Sequence, residues 1–172
     1  MVSDKIEYIL MLIKLFARHF GLSNQRVTQI DLTKSRPAKD FGKAFYLSEK
    51  REQAIEMAQF KAETFGGSVI INEFEFEESA LAAPDIKFFR FDSYTEEWAR
   101  FVLANRSSNV TNHDYDIVFG PIANDKIGRQ IFNFQSGYID FDTFIKRIQY
   151  PEGITFQWAF CTEKAIQKLH SL

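Results

Sequence analysis

The sequence predicts an α+β fold around a mainly antiparallel sheet, on three observations. Strand-like and helix-like segments are mixed without the regular alternation of a doubly wound fold, and no GxGxxG loop is present. Nineteen phenylalanines fall largely in short runs such as IKFFRF and QIFNFQ, which suit strands and packed corners. At 172 residues, with 45% hydrophobic and 26% charged, the chain has the balance of one globular domain with a sizeable core.

The elements follow in order. In DKIEYILMLIKLFARHF, residues 4–20, Ile6, Ile9, Leu10, Ile13, Leu15, Phe16 and Phe20 recur at helical spacing, with Ser3 or Asp4 as cap and Gly21 as stop. That predicts an amphipathic N-terminal helix whose apolar face packs on the body or on another molecule. RVTQIDL alternates as a short strand, and TKSRPAKDFG has the composition of a loop. KAFYL reads as a strand, and EKREQAIEMAQFKAETF as a helix ended by Gly66-Gly67. SVIINEFEFEE alternates with period two, so that Val69, Ile71, Phe74 and Phe76 share buried faces.

Farther on, IKFFRFD predicts a strand, TEEWARFVLANR a helix with a Thr cap, and YDIVFGPI an apolar strand placed centrally. GRQIFNFQSG fits a short strand or a helical segment. DFDTFIKRIQY is a helix stopped before Pro151, ITFQWAFCT a strand, and TEKAIQKLHSL a short closing helix.

A formal net charge of −2 gives no global basic footprint, and so no strong nucleic-acid signal. The one cysteine, Cys161, excludes an internal disulfide and a multi-cysteine metal site, and fits a reducing, cytoplasmic setting. Two glycosylation triplets begin at Asn105 and Asn109, but without a signal peptide they carry no weight. YILMLIKLFA is interrupted by Lys14 and too short to span a bilayer, so no membrane association is expected. Walker, HExxH and GxSxG motifs are absent, and Cys161 has no evident histidine partner.

The stretch DFGKAFYLSEKREQAIEMA resembles the second motif of the ADP-ribosyltransferase superfamily, in which a phrase of the type FGKGIYF leads into a helix. Four ordered segments, IDLTKSRPAKDFGKAFYL, EEWARFVLANR, HDYDIVFGPIANDK and FQWAFCTEKAI, resemble the bacterial domain of unknown function 3990. The N-terminal helix resembles another small bacterial family, domain of unknown function 3791. This divides the chain into residues 1–23, from a fused neighbour, and 24–172, an ADP-ribosyltransferase-like domain.

The resemblance implies split antiparallel sheets with flanking helices and NAD, as substrate, bent in the cleft between them. It implies that Tyr46, after the Gly42 hinge, stacks on nicotinamide, and that Gln157 stands where many relatives carry a glutamate beside the ribose. A glutamine bonds hydroxyls but does not stabilise positive charge as a carboxylate does. Glu163 is the alternative, or else a favourable charge at a helix N-terminus capped by Thr162. His19 corresponds to the first-motif histidine, or is a helix C-terminal residue placed against the dipole. Arg36 and Lys43 lie near the pyrophosphate, or in a solvated loop.

If active, the protein would be a mono-ADP-ribosyltransferase or NAD glycohydrolase in a toxin–antitoxin or phage-defence setting. The alternative is a degenerate NAD-fold protein that binds a partner, or a second copy, through its N-terminal helix. Of the remaining residues, Asp40 lies in a loop over a ligand or ties that loop to the body, Asn124 and Asp125 reach the cleft or form a turn, His113 is a surface residue, and Arg106 is a helix C-terminal charge in preference to a ligand contact.

Overall fold

The computed structural model describes residues 12–17, 26–123, 125–148 and 153–172. Among the described residues seven strands form one mixed sheet in the order β4-β5-β6-β2-β1-β3-β7. They are β1 (Leu12–Ala17), β2 (Phe45–Ser48), β3 (Glu73–Glu77), β4 (Phe88–Arg90), β5 (Ile117–Pro121), β6 (Phe156–Phe160) and β7 (His170–Ser171). Among the described pairings β4 and β5 run parallel and the other five are antiparallel. The α-helices among the described residues are α1 (Arg51–Phe65), α2 (Glu96–Arg106), α3 (Asp125–Gln135), α4 (Phe141–Ile148) and α5 (Glu163–Ile166). The mainly antiparallel α+β expectation holds. The expected pair of split sheets is instead one hydrogen-bonded order, with a short joint at β1 and β2, where Phe16 meets Ser48 and Ala17 meets Leu47. Among the described residues no helix is long and apolar enough to cross a membrane.

The largest correction is at the N-terminus. Residues 12–17 of the expected helix form β1, while residues 4–11 and 18–20 lie outside the described residues. The local pattern suits both periods, because Ile13 and Leu15 alternate around Lys14 while also fitting a helical face. Pairing decides the outcome: Leu12 to Phe16 run in register with Glu77 to Glu73, and Leu15 is fully buried beside Phe74. Tertiary context overrides a helical propensity of this kind.

RVTQIDL is not a strand. Its Asp31 carboxylate accepts from the Thr33 amide at 2.9 Å and hydroxyl at 2.6 Å, and so starts a 3-10 turn at Leu32–Lys34. The strand expected over 68–78 begins only at Glu73; Phe74 and Phe76 are buried, but Val69 is exposed. GRQIFNFQSG resolves to helix, within α3, and β7 follows α5 where only helix was expected.

Alternation along the strands separates two cores. On one face lie Leu15, Phe45, Leu47, Phe74, Phe76, Trp158 and Phe160; on the other lie Tyr46, Val118 and Ala159 beneath α2, α3 and α4. Thr95 caps α2 by accepting from the Trp98 amide, as its sequence predicts.

Candidate functional site

The polar groups gather on the second face, where β2 and β6 lie side by side with Tyr46 opposite Ala159. Tyr46 and Gln157 are each 3% exposed. The Tyr46 hydroxyl accepts from the Phe41 amide at 3.0 Å and donates to the Gly42 carbonyl at 2.8 Å. Burial raises its pKa well above the ordinary phenol value, with the thiol of Cys161 and the carboxylate of Asp40 adding to the effect. The hydroxyl is therefore a neutral pin for the loop that precedes β2.

Asp40 is the hub of this face. Its Oδ1 accepts from Arg106 Nε at 2.7 Å, and its Oδ2 accepts from the Ala123 amide at 2.9 Å and from Gln157 Nε2 at 2.8 Å. Arg106 also donates to the Ala123 carbonyl. Asp40 thus ties its loop to the body, as its sequence suggests. Arg106 is more than a helix-end charge, because it neutralises a carboxylate that is 7% exposed. Among the described residues no donor reaches Gln157 Oε1.

His113 corrects another expectation. It is half-buried and stacks on Phe101 with ring centroids 5.1 Å apart. Its Nδ1 accepts from the Tyr115 amide at 3.1 Å, which puts the ring proton on Nε2, facing the Phe41 carbonyl at 2.9 Å. Burial lowers its pKa, opposed by the bond to Phe41 and by Asp114. The adjacent Gly42 has φ +79°, and a Cβ there would lie 2.6 Å from Thr111 Oγ1, so both backbone and space demand glycine. The Lys43 amide donates to that same Thr111 oxygen at 3.0 Å.

A cavity of about 590 Å³ opens at the end of the sheet where β2 begins and β6 ends. Lys43, Thr111, His113, Tyr115, Cys161 and Thr162 line it. Desolvation pushes the Cys161 thiol pKa up, so the neutral thiol is favoured over the thiolate.

The expected site residues are therefore dispersed. Tyr46 and Gln157 share a face, bridged by Asp40 and its loop. Lys43 is exposed at the cavity, and Arg36 is exposed on the same loop without lining the cavity. Glu163 opens α5, where Thr162 accepts from the Ala165 amide at 3.3 Å, so its local role is the helix N-terminus. His19 and Asn124 lie outside the described residues, and Asp125 begins α3 instead of completing a turn. Sequence reading missed the Asp40, Arg106 and Gln157 linkage. Its one local sign is an acidic residue placed directly before a buried aromatic, Phe41.

No curated protein and no solved structure gives a significant match to this chain. A family model described as "Protein of unknown function (DUF3990)" matches residues 19–171. The four ordered segments, the first of which holds the Asp40 loop, lie within that match, and the chain belongs to the DUF3990 family.

Proposed function

We propose that the chain is an NAD-dependent ADP-ribosyltransferase-like protein, with NAD as substrate where β1, β2 and β6 adjoin. The observation that carries this reading is the strand order β6-β2-β1. The ADP-ribosyltransferase resemblance implies three groups around one NAD: a first-strand histidine at a ribose, a second-motif tyrosine on nicotinamide and a last-strand polar group beside the ribose. The strands that bear or lead to those positions are neighbours. β1 supplies the first strand, and His19 follows two residues after its end at Ala17. In the reaction the glycosidic bond breaks, nicotinamide leaves with the electron pair, and the ribosyl cation is captured by an acceptor hydroxyl or by water, which gives up its proton. Groups placed where that charge develops act mainly on the transition state.

A second reading is favoured by the burial of Tyr46 and Gln157 and by the engagement of both with the Asp40 loop. It is a degenerate NAD-fold protein that acts by binding a partner.

Nicotinamide release from NAD by the full chain, with and without cell lysate, separates the two. Tyr46→Leu removes the ring at similar apolar volume and is checked for folding by circular dichroism. Release by the native protein and its loss in the folded variant is the expected result. Absence of both release and calorimetric NAD binding would leave the partner-binding reading.

A further inference from the structure

We infer that Asp40 is a positioning residue for Gln157, fixing its side-chain amide so that the carbonyl oxygen is the atom offered to a ligand, and that this position therefore selects a hydroxyl donor over an anionic group. An ionised carboxylate only accepts hydrogen bonds, so the amide must turn its NH2 toward Asp40 Oδ2, which it meets at 2.8 Å. The flipped amide would set two acceptors against each other. Asp40 is itself held by Arg106 and by the Ala123 amide, so the reference for that orientation is rigid.

What this leaves is Gln157 Oε1, on a residue 3% exposed, with no donor among the described residues. A buried acceptor with no donor among the described residues is suited to one from water or a ligand. A hydroxyl satisfies it, whereas an anion would meet both this oxygen and the nearby Asp40 carboxylate. The identification of that hydroxyl with a ribose rests on the NAD reading above; the fixing of the amide does not.

Three variants test the two halves separately: Gln157→Glu, Gln157→Glu with Asp40→Asn, and Gln157→Met. Gln157→Glu places a second carboxylate against Asp40, and the added group's folded pKa rises above its unfolded value of about 4.3. The unfolded state then loses its proton first, so thermal stability should fall as pH rises from about 4 to 8, more steeply than in the native protein. Adding Asp40→Asn should flatten that dependence. If Gln157→Glu shows the native pH profile, the amide is not facing Asp40 and the inference is overturned.

Gln157→Met keeps the side-chain length without the acceptor. It should fold and bind NAD at least about 10-fold more weakly by calorimetry, the loss of one well-formed hydrogen bond. Native-like NAD affinity in this variant overturns the ligand half. If the native protein binds no NAD while the Gln157→Glu profile and its rescue appear as expected, the NAD reading fails and the positioning role of Asp40 stands.

Discussion

β2 and β6 present two unlike faces to the protein. Their odd-side residues in β2, Phe45 and Leu47, and the even-side Trp158 and Phe160 of β6 enter a core of aromatic rings. There Phe76 packs edge-on against Trp158 and Phe160, with centroids 5.3 and 5.5 Å apart. One residue along each strand, Tyr46 and Gln157 turn to the other face, where both are tied to the Asp40 loop. The same two strands thus hold a face specialised for packing and one specialised for positioning. Phe76→Ala tests the first most severely. Phe76 is fully buried, and truncation should cost about 3–5 kcal/mol in urea unfolding. A cost under about 1 kcal/mol would mean that this face is loosely packed.

The polar face should fail differently. Arg106→Met keeps the stem but strands the Asp40 carboxylate. Breaking a buried pair costs about 3–5 kcal/mol, which we reduce to about 2–3 kcal/mol because the Arg106 side chain is 30% exposed to water. A smaller pH effect follows from His113. Burial holds its imidazole below the ordinary value of about 6.5, so the unfolded chain takes up the proton first as pH falls. The stability it contributes is present above that value and is lost as pH drops through the lower folded one. His113→Gln, which keeps a donor for Phe41 and an acceptor for Tyr115, should flatten this acid-side loss in urea titrations; an unchanged pH profile would exclude His113 as its source.

The comparison also shows what the sequence makes legible. β2 with α1, and α2 with its Thr95 cap, are written in short-range signals: a glycine before an apolar run, and a hydroxyl three residues before the amide it accepts from. β1 is ambiguous locally, because six residues around Lys14 satisfy two periods, and its identity comes from pairing with β3. The polar face is less legible still. Asp40 meets Arg106 across 66 residues and Gln157 across 117, and no periodicity encodes such distances. Tyr46 stands out in the sequence through its motif, yet the loop bonds that hold its hydroxyl depend on the fold.

The smallest predicted effect lies where the positioning loop begins. Ala38 has φ 58°, in the left-handed region where a Cβ crowds the following carbonyl at a cost of about 1–2 kcal/mol. The residue is exposed, so its methyl group contributes little packing in return. Ala38→Gly removes the crowding but adds about 0.5–1 kcal/mol of unfolded-state entropy, leaving a net gain of up to about 1 kcal/mol. A gain would show that the conformation of this loop is imposed by the bonds that follow it, at Asp40, Phe41 and Gly42, against the preference of Ala38 itself. A loss instead would mean that the alanine restrains the loop usefully, and that the rigidity of the polar face begins before Asp40.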